Sequence, residues 1–195
     1  LYATLLVSRV KNSDGYDFIY YTLSKGNAKA AKAAGLNTKI LKFRRKERLV
    51  HKLRKNLTFN RWFQKLGILK PLDEQFKKDK IDLVYFTGPN PLCLFLEQLN
   101  YILPVWDLCH RDHPEFPEVR ERFEFDSREN FLRTALPKAT AVIAESPFGR
   151  KSLIRRYGLD SEKVHFVWKP PSSKIISLEK SSSDFNPRLH LKIPK

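Results

Sequence analysis

Four short apolar runs, separated by segments with helical spacing, constrain the fold of this chain more than any other feature. The runs are Ile81 to Phe86, Tyr101 to Leu108, Thr140 to Glu145 and Val164 to Trp168. We expect the first to be buried on both faces of a sheet, because it lacks polar alternation. Strands that alternate with helices form right-handed βαβ units. The pattern therefore predicts an α/β fold with a Rossmann-like parallel sheet flanked by helices.

The helices between these strands have recognisable ends. Pro91 to Asn100 is predicted to form a short apolar helix, and Asp126 to Leu136 a longer one. Ser146 and Pro147 are typical of a helix start, and Gly158 is typical of a helix end. The sequence therefore predicts a well-defined helix between the last two strands.

The first eighty residues predict further elements of the same kinds. These are a helix over Leu1 to Val10, strands over Asp17 to Leu23 and Asn37 to Phe43, a helix over Asn27 to Ala34 that Gly35 closes, and amphipathic helices over Arg44 to Lys80 that Pro71 interrupts. After Pro171 the sequence becomes Ser-rich and charged, as in linkers. We expect a domain over 1–171 and a linker over 172–195.

The net charge of +16 is unevenly distributed. From Lys39 to Lys80 there are fifteen Lys and Arg residues against four acids, whereas from Asp107 to Glu129 there are eight acids against four Arg residues. A local basic surface attracts nucleic acid, anionic lipid or phosphorylated substrates. We expect the cluster to contact an anionic membrane surface, and its residues are Arg44, Arg45, Lys46, Arg48, Lys52, Arg54 and Lys55.

Length, cysteine content and hydrophobicity limit the number of domains and the cellular location that we expect. A chain of 195 residues is long enough for one sizeable core. Cys93 and Cys109 form no disulfide framework, which favours a cytoplasmic location. No run approaches the roughly 18 to 20 apolar residues of a membrane span. The chain contains no methionine and begins with leucine, so we interpret it as a fragment.

Candidate site residues follow the predicted strands, because ligands bind beyond the carboxyl ends of parallel strands. Titratable groups are concentrated in the loop from Trp106 to Phe116, which provides the candidate catalytic residues Asp107, His110, Arg111 and His113. The candidate substrate-binding residues are Gly88, Asn90, Asp112 and Ser146. Imidazole can act as a base or bind a sugar hydroxyl, and Arg111 can bind a phosphate with two hydrogen bonds.

Each candidate also has a simpler interpretation. The loop charges can form surface ion pairs, which is about as probable as a functional role. Ser146 is more simply an N-cap, although a helix amino terminus also attracts anions. Cys109, His110 and His113 have a weak resemblance to zinc ligands, but no second Cys/His pair accompanies them. No serine lies in a nucleophile-elbow sequence.

Three segments carry a resemblance to a known family. They are IDLVYFTGPNPL (81–92), PVWDLCHRDHPEFPEVRERFEFDSRENFL (104–132) and LPKATAVIAESPFGRKSLIRRYGLDSEKVHFVWKPPS (136–172). Their order resembles glycosyltransferase family 4, whose members have two Rossmann-like domains in the arrangement called GT-B. The last segment is the most specific, and the first eighty residues match only by pattern.

The resemblance implies the amino-terminal domain of a retaining glycosyltransferase. This half would hold a glycan or lipid-linked acceptor, and an absent carboxyl-terminal domain would hold the nucleotide-sugar donor. The donor is a substrate, so the resemblance implies no tightly bound cofactor and no metal. Family members often have histidine where this chain has Trp106, so that histidine does not transfer. The family's first strand and glycine-rich loop are also expected to be missing, which makes this chain catalytically incomplete.

These inferences lead to one principal function and one alternative. The principal function is sugar transfer in surface polysaccharide biosynthesis by a cytoplasmic protein with peripheral contact to the inner membrane face. The alternative is a basic nucleic-acid-binding module without catalytic activity, which the +16 charge permits. Steeply salt-dependent binding to DNA or RNA would distinguish the alternative, and the principal function makes nucleic acid an improbable partner.

Overall fold

A computed structural model describes residues 15–42 and 71–168 of the chain. The strands are β1 (Tyr20–Thr22), β2 (Thr38–Ile40), β3 (Leu83–Tyr85), β4 (Asn100–Val105), β5 (Ala141–Ala144) and β6 (Val164–Phe166). The α-helices are α1 (Lys25–Ala33), α2 (Pro71–Lys78), α3 (Cys109–Asp112), α4 (Pro117–Arg120), α5 (Glu124–Ala135) and α6 (Pro147–Tyr157). Short 3-10 helices span Pro91–Phe95, Glu121–Phe123 and Leu136–Lys138.

All strand pairings in the described residues are parallel, which confirms the predicted Rossmann-like α/β fold. β1 pairs with β2, and a four-stranded sheet has the order β3-β4-β5-β6. In that sheet Tyr85 lies opposite Ile102, and Val105 lies opposite Ala144. Because the strands are parallel, their carboxyl ends meet at one edge, and the segments after β3, β4 and β5 leave the sheet together.

The core lies between the central strands and the helices that cover them. β4 contributes the fully buried Tyr101 and Leu103, and α5 contributes Leu132 and Ala135. The hydroxyl of Tyr101 donates a hydrogen bond to the Ala135 carbonyl at 2.5 Å, which satisfies the one polar atom of this side chain.

Tyr21 and Lys39 connect the two-stranded sheet to α2 and to Asp79, which follows it. The ring of Tyr21 packs edge-on against Phe76 with centroids 4.8 Å apart. Its hydroxyl donates to Asp79, which also forms an ion pair with Lys39. The hydrogen bond from Lys39 and that from Tyr21 lower the pKa of the Asp79 carboxyl.

The last helix follows its sequence signals closely. The Ser146 Oγ accepts a hydrogen bond from the Gly149 amide at 3.0 Å, and Pro147 occupies the first helical turn. Gly158 ends α6 with φ of +62°, which glycine adopts at little cost. At the first helix, Ser24 is the N-cap and Gly35 has φ of +77°. The predicted boundaries of α1 and α6 are therefore confirmed within one or two residues.

Three expectations about the sheet and its loops need correction. The run at 81–86 is not buried on both faces: β3 pairs only with β4 in the described residues, and Leu83 is exposed. Pro91–Phe95 is a 3-10 helix that does not reach Asn100, because β4 already begins there. The loop after β4 is partly helical, since it contains α3. Apolar content indicated these elements but did not determine their neighbours.

Several predictions concern residues outside the described ranges. These are the helix over Leu1 to Val10, most of the amphipathic stretch from Arg44, the seven basic residues expected at a membrane, and the linker over 172–195. Pro71 is described and begins α2, a position that proline tolerates because it lacks an amide donor. Within 15–42 and 71–168, no helix combines the length and the apolar character that crossing a membrane requires.

Candidate functional site

A cavity of about 330 Å³ lies beyond the carboxyl end of β4. It is lined by the segment after β3, by the end of β4 together with α3, and by α5. The lining residues are Pro89, Pro91, Val105, Trp106, Asp107, His110, Glu124, Ser127, Arg128, Phe131 and Leu132. The mixture of apolar surface with a few polar groups is typical of small-molecule sites.

Beneath the cavity, one carboxylate organises a buried polar cluster. Glu129 of α5 accepts hydrogen bonds from the Nε of Arg111 at 2.7 Å and from a second nitrogen of the same guanidinium. Arg133, one turn along α5, donates to Glu129 at 2.6 Å, and the Tyr157 hydroxyl donates at 3.0 Å. These contacts join α3, α5 and α6. We call Glu129, His110, Arg111, Arg133 and Tyr157 the Glu129 cluster.

The ionisation of the cluster follows from these contacts. Hydrogen bonds from Arg111 hold the pKa of the Glu129 carboxyl at about 2, although burial opposes this shift. The same hydrogen bond raises the pKa of Arg111. Burial, assisted by Glu129, raises the pKa of the Tyr157 hydroxyl to about 12. Glu129 is therefore ionised at neutral pH, and Tyr157 keeps the proton that it donates.

His110 connects the cluster to the cavity. Its side chain is 1% exposed, and its Nε2 lies 3.3 Å from the Glu129 Oε2 and 3.4 Å from the Tyr157 hydroxyl oxygen. Burial lowers the pKa of His110 more than Glu129 raises it, so the ring is neutral. An ionised carboxylate only accepts hydrogen bonds, so we assign the ring proton to Nε2. Nδ1 is then an acceptor, and it has no hydrogen-bond partner among the described residues.

A second charged group lies at the cavity and is more exposed. Arg128 donates to Glu124 at 2.7 Å and lies 3.5 Å from Asp107. The Asp107 Oδ1 also accepts a hydrogen bond from the Cys109 amide at 2.9 Å, which holds the start of α3. We call Asp107, Glu124 and Arg128 the rim group. Its three side chains are all more than a third exposed.

The structure separates the four candidate catalytic residues. Asp107 and His110 both line the cavity, whereas Arg111 lies beneath it and is bound to Glu129. His113 is 53% exposed, contacts Glu115 at 3.2 Å and stacks on Phe116, and it does not line the cavity. The loop is therefore divided, with two candidates at the cavity and two outside it.

The four candidate substrate-binding residues have local contacts. The Asn90 Oδ1 accepts from the Leu92 amide at 3.0 Å, and Ser146 caps α6. Asp112 forms an ion pair with Arg156, which fastens the loop to α6. Gly88 lies against Trp106. None of the four is among the residues that line the described cavity, although Gly88 contacts one that does.

Sequence reasoning missed the residues that organise the site. Glu129 and Arg128 are two members of a predicted helix, and nothing in their spacing distinguishes them from solvent-exposed charges. Tyr157 is a residue of the Tyr-Gly helix end, and its hydroxyl direction is set only by tertiary packing. Trp106 was noted only as a departure from a family pattern. The sequence signal that could have identified Trp106 as a site residue is its position directly after a buried strand.

The candidate metal ligands Cys109, His110 and His113 do not form a group in the structure. Across residues 15–42 and 71–168, no three His, Cys, Asp or Glu side chains are grouped as metal ligands. Cys109 and His113 are joined by a backbone hydrogen bond at the end of α3, and the His113 side chain contacts Glu115. Burial raises the pKa of the free Cys109 thiol, and that of the buried Cys93 to about 12. Both thiols are protonated at neutral pH.

Comparison with known protein families identifies the domain. The family model named Glycosyltransferase Family 4 matches residues 5–170, most of the 195-residue chain. The chain belongs to glycosyltransferase family 4. Neither the curated proteins nor the solved structures contain a match. The parallel α/β fold described above agrees with this family, and the resemblance inferred from the three sequence segments is confirmed.

Membership of glycosyltransferase family 4 makes the protein a glycosyltransferase-type domain, whose substrates are a sugar donor and an acceptor. Within such a domain, a cavity at the carboxyl edge of the sheet is the expected place for a ligand. Two of the candidate catalytic residues, His110 and Asp107, line the described cavity.

Proposed function

We propose that this glycosyltransferase family 4 protein transfers a sugar from a nucleotide-sugar donor to a glycan or lipid-linked acceptor, with retention of the anomeric configuration. We further propose that the reaction belongs to surface polysaccharide biosynthesis in the cytoplasm. The observation that carries the proposal is the neutral, buried His110 at the cavity beyond β4, with Nδ1 lacking a partner in the described part of the chain.

His110 is suited to bind a sugar hydroxyl. The Glu129 cluster fixes its ring orientation and holds the proton on Nε2, which leaves Nδ1 to accept a hydrogen bond. A buried acceptor without a partner costs free energy. In this proposal a ligand hydroxyl becomes the partner after the lining residues move, because Nδ1 is shielded from solvent. Asp107 lines the same cavity and offers carboxylate oxygens to neighbouring hydroxyls. In this proposal both residues position a substrate, and neither is a nucleophile.

The donor diphosphate requires a site elsewhere. Both guanidinium groups nearest the cavity are already neutralised, Arg111 by Glu129 and Arg128 by Glu124 and Asp107. A diphosphate would have to displace Glu129 from Arg111, at a cost in buried charge, or compete with the exposed carboxylates of Asp107 and Glu124 for Arg128. We therefore propose that a second, donor-binding domain after the linker 172–195 completes the active site. The proposal requires neither a metal nor a tightly bound cofactor.

The test is a transfer and hydrolysis assay with a panel of nucleotide sugars, using the natural polypeptide that contains this sequence. His110→Gln is expected to lower kcat/KM by about tenfold, the value of one hydrogen bond of about 1.4 kcal/mol. His113→Gln is the matched control, because His113 lies in the same loop but outside the cavity. The product anomer, read by NMR, reports retention.

Two results would contradict this proposal. One is turnover of no donor, together with tight, strongly salt-dependent binding to nucleic acid, which would favour the basic binding module instead. The other is equal loss of activity in His110→Gln and His113→Gln, which would remove the special role of the cavity histidine.

We also propose peripheral binding to anionic membranes through the basic residues between Arg44 and Lys55. The local surplus of positive charge supports this, since a basic residue near an anionic surface contributes about 1 kcal/mol. Flotation with vesicles that contain or lack anionic lipid tests it. We expect binding only with anionic lipid, and equal binding to neutral vesicles would contradict the proposal.

A further inference from the structure

We propose that the turn before α5 is a conformational switch that carries Phe123 to the cavity beyond β4. In this switch Arg122 and Phe123 change from left-handed to right-handed helical backbone, so that α5 begins at Arg122. The inference rests on the proposed glycosyltransferase activity and adds a movable wall to its cavity. Three observations support it: the backbone strain of the turn, the missing cap at the start of α5, and the spacing of the residues that line the cavity.

Arg122 and Phe123 have a backbone conformation that residues with a side chain rarely adopt. Their φ angles are +55° and +59°, and neither residue is glycine. Left-handed helical backbone brings the Cβ atom too close to the following carbonyl oxygen, so two such residues in succession are costly. Such strain persists only where the flanking structure imposes it. Here Val119 of α4 is buried on one side of the turn, and Glu129 anchors α5 on the other.

The start of α5 lacks the hydrogen bond that usually fixes a helix boundary. Phe123 is at the N-cap position, and within the described residues no side chain caps this helix, whereas the Ser146 Oγ caps α6. An earlier start would place Glu121 at the amino terminus of α5, where a negative charge is favourable. Extension of α5 to Arg122 therefore relieves backbone strain without breaking a side-chain cap.

Helical spacing determines where Phe123 lies after the extension. The α5 residues that line the cavity are Glu124, Ser127, Arg128, Phe131 and Leu132. Their spacing is that of one helix face. Phe123 precedes Ser127 by four residues, so in the extended helix the two side chains are neighbours on this face. Its ring is 79% exposed in the structure, and the switch would therefore move exposed apolar surface toward the cavity.

The two conformations of the turn are favoured by opposing interactions. The left-handed turn allows Val119 to remain buried in its present place, whereas the extended helix removes the strain at Arg122 and Phe123. A ligand in the cavity that contacts the Phe123 ring binds the extended form more tightly and increases its population. The turn then covers the ligand and excludes water from it.

NMR relaxation dispersion of the backbone amides tests the switch on the full chain without ligand. The method detects exchange on the microsecond-to-millisecond timescale, on which local rearrangements of this kind occur. We expect exchange at Arg122, Phe123 and Ser127. We expect none at Ser152, which is buried in the capped helix α6. Flat profiles at all four residues would overturn the switch.

Arg122→Gly tests whether strain controls the switch. Glycine adopts positive φ at little cost, so this variant stabilises the left-handed turn and should lower the population of the extended helix about fivefold. Arg122→Ala is the matched control, because it removes the same side chain but keeps the Cβ atom that causes the strain. We expect exchange to persist in Arg122→Ala and to weaken in Arg122→Gly. Equal exchange in the two variants would overturn the role of strain.

Transfer by the natural polypeptide tests the contact of Phe123 with a ligand. Phe123→Ala removes the ring, and we expect kcat/KM to fall about fivefold, equivalent to about 1 kcal/mol. Phe148→Ala is the matched control, because Phe148 is 68% exposed in the first turn of α6 and does not line the cavity. Equal activity in the two variants would overturn this contact.

Failure of the proposed function has a different signature. It is read as turnover of no nucleotide sugar by the unchanged polypeptide, whereas exchange at Phe123 is measured without any ligand. A transferase that depends on His110 but shows no exchange at Phe123 would overturn the switch alone.

Discussion

The Glu129 cluster and the rim group are built from the same residue types and share helix α5, yet their environments differ. Glu129 is 12% exposed and accepts hydrogen bonds from two arginines and a tyrosine. Glu124, five residues earlier in α5, is 41% exposed and forms an ion pair with Arg128. Burial makes the first carboxylate part of the scaffold, and exposure leaves the second available to a ligand. Position relative to the core, more than residue type, therefore decides whether a carboxylate stabilises the fold or is accessible to a ligand.

The largest effect that separates the two groups is expected from Glu129→Gln. Loss of the charge leaves the mostly buried Arg111 without its carboxylate, so we expect the free energy of unfolding to fall by about 3 kcal/mol. Urea denaturation measures this. Glu124→Gln is the matched control, because an exposed ion pair contributes at most about 1 kcal/mol. Equal losses in the two variants would show that burial does not distinguish the groups.

The pH dependence of stability sharpens the same comparison. Burial lowers the folded pKa of His110 from its ordinary 6.5, so below pH 6.5 the unfolded chain binds more protons than the folded one. Stability from this residue is complete above pH 6.5 and is lost as the pH falls. The slope is at most about 1.4 kcal/mol per pH unit for one proton. Glu129 contributes in the same direction between pH 4.5 and about 2.

Urea denaturation at pH values from about 7 to about 5 measures the contribution of His110 to stability, because these limits bracket an ordinary histidine pKa. In His110→Gln the slope over this range should decrease, since the titrating group is gone. A slope that is identical in the variant would mean that His110 is not the residue that couples stability to pH.

Tyr157→Phe tests a single contact within the cluster. It removes the hydroxyl that donates to Glu129 at 3.0 Å and keeps the ring over which the Arg111 guanidinium lies at 5.1 Å. One such hydrogen bond contributes about 1 kcal/mol, so the free energy of unfolding should fall by that amount. Tyr16→Phe, at a highly exposed position, is the control and should cost nothing measurable. A neutral Tyr157→Phe would contradict the role of the hydroxyl in orienting the cluster.

The smallest effect is expected from His113→Ala. Its side chain is exposed and its ion pair with Glu115 is on the surface, so the free energy of unfolding should change by less than about 0.5 kcal/mol. Transfer activity should also remain, because His113 does not line the cavity. A large loss of activity in this variant would return His113 to the list of catalytic candidates.

Sequence reasoning recovered elements where a local signal decides the structure. The α6 boundaries follow from Ser146, Pro147 and Gly158, because capping and positive φ depend on neighbouring residues only. The prediction that β3 is buried on both faces was wrong, because the burial of a strand depends on segments that are distant in sequence. At the site, the loop after β4 was correctly identified as a concentration of polar groups, but its division between cavity and surface was not.

By itself, the sequence determined the kind of fold and the family, since apolar periodicity, caps and motif order are properties of short segments. Only the tertiary structure decided that Glu129 is a buried centre and Glu124 is not, and that Gly88 supports Trp106. The physical reason is that burial and close approach are set by chain segments far apart in sequence. Burial and close approach change the ionisation of His110 and the exposure of the Trp106 indole, and neither change is visible in the local sequence pattern.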